Sequence, residues 1–123
     1  MAKLQIRLTT KSNIYLRFLH LAQAIQGLPG FPKLDGTEER ILNICADAWY
    51  RNAKITVTGL APIIPGVSER TSYRRINGLE KKGMISLKSD VSDKRIKLVE
   101  QTPLCESYFE QMSICFSNAL KEE

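Results

Sequence analysis

Arginine, tyrosine and asparagine side chains recur every three or four positions between residues 70 and 77. This spacing places Arg70, Tyr73, Arg74 and Asn77 on one face of an α-helix. A guanidinium can donate two hydrogen bonds to the edge of a guanine base, and an asparagine amide can pair in the same way with adenine. The pattern therefore predicts a helix face that reads base edges in the major groove of a duplex.

Two hydroxyl side chains lie at the start of the same predicted helix. Ser68 is a residue type that caps helix N-termini, and Thr71 follows it by three positions. Such hydroxyls, together with the backbone N–H groups of a helix start, suit a phosphate group. Ser68 and Thr71 are therefore predicted to hold phosphate, whereas Arg75 is expected near the buried edge, directed away from the bases.

A second basic cluster follows at residues 88–97. The strand-like runs 84–88 and 95–99 enclose a polar loop, which predicts a β-hairpin. Its charged side chains are predicted to reach the flanking minor groove and phosphates. The predicted contact residues of the hairpin are Lys88, Asp93, Lys94, Arg95 and Lys97.

The helices that must position these side chains can be read from the apolar spacing. Helices are predicted at about residues 37–52, from Thr56 or Thr58 to residue 64, and at 69–82, with the hairpin behind them. In the third of these helices Ser72, Ile76 and Leu79 form the stripe that must be buried. This order of elements is typical of a winged helix-turn-helix.

Two further helices are predicted at the ends of the chain. One is capped by Ser12 or Asn13 and runs to about residue 25, behind a short strand or extended arm at residues 3–9. The other follows Thr102 and Pro103 and continues to near the C-terminus. The N-terminal helix is apolar around much of its circumference and the C-terminal helix repeats apolar residues to its end, so a partner subunit is expected to cover them.

Three segments resemble MarR-type transcription regulators, over roughly residues 34–120. ITVTGLA at residues 55–61 is similar to the opening of the family's helix-turn-helix motif. Residues 67–85 are similar to its recognition helix and exit, and residues 90–103 follow its wing pattern without a gap. The resemblance implies that Arg95 enters the minor groove with Asp93 as its orienting partner, and that the terminal helices interlock in a dimer.

The chain departs from this pattern at two residues and in one segment. Val91 stands where a proline is common, and Glu69 stands where a small or basic residue is usual. Glu69 either favours a cytosine amino group or stabilises the helix N-terminus. The region ahead of the motif is shorter than usual in the family, so the sequence supports no particular small-molecule effector.

The length of 123 residues predicts one domain of mainly α (α+β) class. Within it we expect a basic arm and dimerisation helix at 1–33, a winged helix-turn-helix core at 34–101 and a C-terminal dimerisation helix at 102–123. Basic side chains without acids in residues 1–33, and a basic excess in 66–97, suit a polyanion, whereas the tail is acidic. Lys81 and Lys82 are expected at a solvated helix end.

Composition argues against several other classes of protein. The single histidine, His20, and three cysteines without a paired motif predict no metal site, no cofactor and no catalytic pair, so we do not expect an enzyme. Cys45, Cys105 and Cys115 are expected as buried core residues. No apolar run is long enough to span a membrane, and a cytoplasmic protein is expected.

The predicted function is therefore a homodimeric, sequence-specific regulator that binds double-stranded DNA, most simply as a repressor. Two alternatives share the fold: a protein-interaction adaptor without DNA contact, and a plasmid or phage DNA-maintenance protein.

Overall fold

The computed structural model describes residues 10–121, with side chains from residue 13 onward. Five α-helices, one 3-10 turn and two strands follow each other within these described residues. They are α1 (Thr10–Gln26), α2 (Gly36–Tyr50), α3 (Val57–Leu60), the 3-10 turn (Ala61–Ile63), α4 (Glu69–Lys81), β1 (Ile85–Ser89), β2 (Lys97–Gln101) and α5 (Pro103–Lys121). The arm predicted at residues 3–9 lies outside the described residues.

Contacts along the chain define two compact units. The winged-helix unit comprises Pro32–Glu106, and the helical unit comprises Met1–Phe31 with Ser107–Glu123. The helices and the hairpin confirm the predicted winged-helix class, and the division into one domain with three segments stays a prediction.

Helix α2 begins one residue earlier than Thr37, the start predicted from the sequence. Asp35 is its N-cap, and the Asp35 carboxylate accepts the backbone N–H of Glu38 at 2.7 Å. The Glu38 carboxylate accepts the Asp35 N–H in return at 2.9 Å, which completes a capping box. The two side chains together satisfy the N–H groups of the cap residue and of the third helical residue, so the capping box determines where the helix starts.

The helix-turn-helix is built from α3, the 3-10 turn and α4. Thr56 caps α3 by accepting the Gly59 N–H at 3.0 Å, and Ser68 caps α4, as the sequence predicted. Helix α4 buries Ser72, Ile76 and Leu79 completely. Burial of a large aliphatic side chain contributes about 1.5–3 kcal/mol, so Ile76 and Leu79 fix which face of α4 points outward.

Strands β1 and β2 form the antiparallel hairpin, called the wing together with the loop 90–96 that joins them. Leu87 pairs with Val99 in its register. Strand β2 starts two residues later than predicted, because the loop is closed by hydrogen bonds from the Asp90 N–H to the Ile96 carbonyl and from the Ile96 N–H to the Asp93 carbonyl. The loop therefore takes Arg95 and Ile96 out of the strand.

The wing is fixed to the body of the winged-helix unit from two sides. Thr56 forms an isolated β-bridge with Leu98, and the Val99 N–H bonds the Ile55 carbonyl at 2.9 Å. The Trp49 indole of α2 donates to the Val99 carbonyl at 3.1 Å. These bonds tie the second strand of the wing to α2 and to the entrance of α3.

Helix α1 and most of α5 form the helical unit. Arg17 donates from Nε and Nη2 to the Ala119 carbonyl, at 3.1 and 2.7 Å. Phe18 and Phe116 meet edge to face with ring centroids 5.9 Å apart. Helix α1 already includes Ser12 and Asn13, so the predicted cap at either residue was wrong; cap preference is a weaker determinant than the apolar periodicity that continues through them.

Within residues 10–121, no helix is both long enough and apolar enough to cross a bilayer.

Candidate nucleic-acid interface

The outer face of α4 carries the side chains that the sequence assigned to base edges. Arg70, Arg74 and Asn77 are exposed, and Tyr73 is 36% exposed. Lys81 extends the same face at the C-terminal end of the helix. The structure therefore brings the predicted major-groove residues together on one solvent-facing surface, opposite the buried stripe of Ser72, Ile76 and Leu79.

The two hydroxyl residues predicted to hold phosphate, Ser68 and Thr71, contact each other at the start of α4. The Ser68 hydroxyl accepts the Thr71 N–H at 3.2 Å and donates to Thr71 Oγ1 at 3.1 Å. The Ser68 hydroxyl therefore serves as the cap of α4, with the Thr71 hydroxyl beside it at the helix start. Glu69 is exposed in the first turn, where a carboxylate stabilises the helix dipole.

Arg95 and Asp93 form a forked ion pair in the wing loop. Arg95 Nε lies 3.1 Å from Asp93 Oδ1, and Nη2 lies 3.0 Å from Oδ2. The Asp93 side chain is 34% exposed and that of Arg95 is 90% exposed. The hydrogen bond from Arg95 lowers the pKa of the Asp93 carboxyl, and the same bond raises the pKa of Arg95. The fork presents the guanidinium to solvent in a defined direction.

Asp90 holds the first half of the same loop. Its Oδ2 accepts the backbone N–H groups of Ser92 and Asp93, at 3.1 and 3.2 Å, and the Ser92 hydroxyl. The hydroxyl bond is the largest cause of the lowered pKa of Asp90. Val91, where the resemblance led us to expect proline, is 98% exposed at the tip of this tethered turn. Hydrogen bonds to Asp90 therefore hold the turn without a proline.

The three lysines predicted for the wing are all exposed. Lys88 pairs with Glu100 across the hairpin at 3.7 Å, and Lys97 donates to the Ser89 hydroxyl at 3.2 Å. Lys94 stands beside Arg95 in the loop. The ion pair of Lys88 is exposed on both sides and is worth little, so its side chain can exchange Glu100 for a phosphate at small cost.

A buried charged contact between α2 and α4 was missed from the sequence. Lys82 was expected in solvent, but its Nζ lies 2.7 Å from Glu38 Oε1 and 2.6 Å from the Lys33 carbonyl. Glu38 is only 3% exposed. Arg75 turns away from the outer face, as predicted, and its Nη1 lies 3.4 Å from Asp35 Oδ2. The sequence feature that could have indicated this contact is the pair of acids three residues apart, Asp35 and Glu38, which form the capping box.

This contact also explains the glycine in α4. A Cβ at Gly78 would lie 3.1 Å from Glu38 Oε2, and that carboxylate is held by Lys82 and by the Asp35 N–H. The glycine therefore leaves room for the Glu38 carboxylate where α2 packs against α4.

The three cysteines lie in the interior of the described part of the chain. Cys45, Cys105 and Cys115 are free and buried. Burial is the main cause that raises the pKa of Cys45 and of Cys105 to about 12 in each case, so both remain thiols at neutral pH. Among residues 10–121, no three His, Cys, Asp or Glu side chains are placed to share a metal ion.

No protein-family model and no curated protein matches the chain. Solved structures do match it. A MarR/EmrR family transcriptional regulator from Acinetobacter sp. ADP1 superposes with a TM-score of 0.55 at 22% identity, over 79% of this chain and 63% of the other. The heme sensor protein PefR from Streptococcus agalactiae, solved with heme, gives 0.59 at 17% identity, over 85% and 65%.

The adhesin competence repressor AdcR from Streptococcus pyogenes gives a TM-score of 0.53 at 23% identity, over 93% of this chain and 77% of the other. The chain spans about 63–66% of the length of the first matched structures. At these sequence identities the similarity lies in the backbone fold and in the order of the helices and strands. The chain has the winged-helix fold of MarR-family regulators.

Proposed function

We propose that the chain is a sequence-specific DNA-binding regulator of transcription that acts as a homodimer. Helix α4 enters the major groove, and the wing contacts the flanking minor groove and phosphates. The observation that carries the proposal is the pairing of a basic, exposed α4 face with an exposed Arg95 that Asp93 holds in place.

The chemistry of α4 supports a role in reading bases. Arg70, Arg74 and Asn77 are the side-chain types that form bidentate pairs with guanine and adenine, and all three are exposed. The acids Glu69 and Glu80 lie on α4 as well, so the face is not uniformly basic. A mixed face favours sequence selection over attraction to phosphate alone.

The wing supports a role beside the recognition helix. Arg95 is almost fully exposed, and its fork with Asp93 limits the number of orientations that it must lose on binding. Arginine in a narrow minor groove interacts favourably with the negative potential there. Helix α4 contacts β1, the first strand of the wing, so the two proposed contact surfaces lie in the same winged-helix unit.

Exposed apolar side chains on the helical unit support the homodimer. Tyr15 is 60% exposed, and Phe116 and Leu120 are each 53% exposed. Large apolar side chains left exposed on a small helical unit suit an interface. A second copy of the chain is the proposed partner, with its two α4 helices in successive major grooves about 34 Å apart. Occupancy of a promoter by such a dimer would block transcription, which makes repression the proposed outcome.

Selection from a random-sequence duplex pool tests this function. The protein is mixed with the pool at low and at moderate salt, and the bound duplexes are sequenced after several rounds. We expect an inverted repeat that survives the increase in salt, because base contacts are far less salt-dependent than phosphate contacts. The genomic position of the repeat would separate a promoter regulator from a plasmid or phage DNA-maintenance protein.

The variant with Arg70, Arg74 and Asn77 all replaced by alanine is the matched control for the selection. It should yield no repeat while remaining folded. Sequence-blind binding by the unaltered protein that disappears with salt would contradict the proposal, and so would the absence of any binding. In the second case the adaptor alternative would take its place.

A further inference from the structure

The first residue of α4 is an exposed acid beside one of the arginines proposed to read bases. Glu69 begins the helix, Arg70 follows it, and both side chains are exposed. The helical period places Glu69 only about 20° from the direction of Ile76, which is fully buried. Since Glu69 nevertheless lies in solvent, the first turn of α4 extends beyond the core that covers Ile76.

The segment before α4 shows the same projection from the core. Residues 65–68 are exposed or half-buried, and the first fully buried side chain of the helix is Ser72. A recognition helix lies in the major groove with its N-terminal residues against the base edges. In the proposed complex, Glu69 therefore lies at the end of α4 that meets the bases.

The start of α4 does not depend on Glu69 for its cap. The Ser68 hydroxyl already accepts the Thr71 N–H at 3.2 Å. Because the third helical residue is Thr71, a carboxylate does not complete a capping box here as Glu38 does in α2. An exposed carboxylate in a first turn interacts only weakly with the helix dipole, and salt screens that interaction. Helix stability therefore leaves the carboxylate of Glu69 available for another role.

The Glu69 carboxylate can take a partner outside the chain. Within residues 10–121 its side chain makes no hydrogen bond and no ion pair. Asp93, by contrast, is held by Arg95 in the wing. Because Glu69 is not paired with the neighbouring Arg70, the acid and the guanidinium can bind different groups on DNA.

The chemistry of a carboxylate selects among the four bases. An ionised carboxylate accepts hydrogen bonds and donates none. In the major groove cytosine presents an amino donor, whereas guanine and thymine present acceptors. Adenine presents a donor next to an acceptor, which suits a side-chain amide better than a carboxylate. Cytosine is therefore the base that Glu69 fits best.

The same negative charge opposes contact with the DNA backbone. A carboxylate repels phosphate, so Glu69 weakens binding wherever no cytosine donor compensates for its charge. Arg70 and Arg74 attract phosphate on any sequence as well as guanine edges. Glu69 therefore adds a penalty against wrong sequences that the arginines of α4 do not supply.

We propose that Glu69 is a specificity-determining residue of α4. Its carboxylate accepts a hydrogen bond from the N4 amino group of one cytosine in each half of the inverted repeat, and it disfavours the other bases at that position. The inference rests on the proposed DNA-binding function and adds one base position to those assigned to Arg70, Arg74 and Asn77.

Parallel selections from the random-sequence duplex pool test the inference with the unaltered chain, Glu69→Gln and Glu106→Gln. Glu106 is exposed in the first turn of α5, outside the two surfaces proposed to touch DNA, so Glu106→Gln is a matched control for charge and helix position. It should select the same repeat as the unaltered chain. Glu69→Gln should select adenine instead of cytosine at one position in each half of the repeat, because a side-chain amide pairs with adenine.

Fluorescence anisotropy measures the size of the effect on the selected duplex, on one with that C·G pair replaced by T·A, and on a scrambled duplex. The unaltered chain should bind the selected duplex about 10-fold more tightly than the substituted one, and Glu69→Gln should discriminate by less than about 3-fold. Glu69→Gln should also bind the scrambled duplex more tightly than the unaltered chain does. A role of Glu69 in helix stability alone would predict neither result.

Three results would overturn the inference and leave the proposed function intact. They are a repeat without a cytosine at any fixed position, unchanged base preferences in Glu69→Gln, and the same change of preference in Glu106→Gln. Selection of no repeat by the unaltered chain would contradict the proposed function, and this inference with it.

Discussion

The guanidinium of Arg95 lies in the plane of two hydrogen bonds to Asp93, with Nε 3.1 Å from Oδ1 and Nη2 3.0 Å from Oδ2. Only two positions separate these residues, and the backbone N–H of Arg95 also donates to Asp93 Oδ1 at 3.1 Å. The Asp93 carboxylate therefore stabilises the turn and also orients the Arg95 guanidinium. A proposed DNA contact is positioned by local chemistry within the loop, without help from the core.

Replacing Arg95 with alanine should raise the pKa of Asp93. The bond from Arg95 is the largest cause of its lowered pKa, so its removal returns the carboxyl toward the ordinary value of about 3.9. Since the folded pKa is depressed, the pair's stabilising effect is present above the unfolded pKa and is lost as the pH falls through the folded one. The chemical shift of the Asp93 carboxyl carbon, followed by nuclear magnetic resonance against pH, measures the pKa of Asp93 in the unaltered chain and in Arg95→Ala.

Asp90 provides the control for that titration. Its pKa is lowered mainly by the Ser92 hydroxyl and not by Arg95, so Arg95→Ala should leave it unchanged. Equal shifts of both aspartates would show that the variant had unfolded the wing loop, and an unchanged Asp93 would contradict the fork.

Arg74→Ala and Arg95→Ala should weaken DNA binding in different ways. Loss of a bidentate base contact at Arg74 is expected to lower affinity for the selected site by about 10-fold or more, with a smaller effect on scrambled duplex. Loss of Arg95 should lower affinity with less effect on sequence preference at the major-groove positions. Fluorescence anisotropy on both duplexes, at several salt concentrations, measures the two affinities and their salt slopes.

Arg51→Ala is the matched control for these two variants. It removes the same charge from the winged-helix unit, and Arg51 lies beyond the end of α2, paired with Asp47. A loss of affinity in Arg51→Ala equal to that of Arg74→Ala would indicate that only net charge matters.

Lys82→Met should destabilise the fold, whereas Lys81→Met should not. Loss of the Lys82 ammonium leaves the buried Glu38 carboxylate with the Asp35 N–H as a donor but without its counter-charge, and a buried charge without a counter-charge is costly. We expect the free energy of unfolding to fall by about 2 kcal/mol for Lys82→Met and by less than about 0.5 kcal/mol for the exposed Lys81→Met. Urea denaturation measures both, and equal values would contradict the buried contact.

The thiols should resist modification in the folded protein. Cys45 and Cys105 are fully buried, and burial raises the pKa of each to about 12, so almost no reactive thiolate exists at pH 8. Reaction with a chromogenic disulfide reagent should be slower than in denaturant by several orders of magnitude. Rapid labelling of either residue in folded protein would show that the site opens readily.

Leu120→Glu should dissociate the proposed homodimer. Leu120 is 53% exposed, and the proposed dimer buries this exposed surface in both subunits. The variant places one unpaired carboxylate per subunit in that interface. A weakening of association by roughly 100-fold or more is expected. Sedimentation equilibrium across a dilution series measures it.

Asn118→Glu adds one negative charge at an exposed position two residues earlier, which the helical period places on the opposite side of α5. It should leave association unchanged. Monomer at all concentrations in the unaltered chain would contradict the homodimer itself.

The sequence alone determined the local elements and their order. Ser68 as a cap, Ser72, Ile76 and Leu79 as a buried stripe, and Thr102 before Pro103 follow from hydrogen-bonding capacity and helical period, which act over a few residues. The same reasoning placed Arg70, Arg74 and Asn77 on the outer face of α4, because a buried stripe fixes the opposite side. It could not give the two-residue shift of β2, which depends on how the carboxylates of the loop turn the backbone.

The tertiary structure decided which charges meet. Lys82 lies 44 positions from Glu38, and no local pattern relates them; their contact exists because α2 and α4 pack where Gly78 leaves room. The Arg17 guanidinium likewise meets the Ala119 carbonyl of α5, 102 positions later in the chain. Helical periodicity and capping depend on residues that are neighbours in sequence, so a single sequence reveals them. Contacts between elements depend on how those elements pack, and the local pattern of a single sequence does not show that packing.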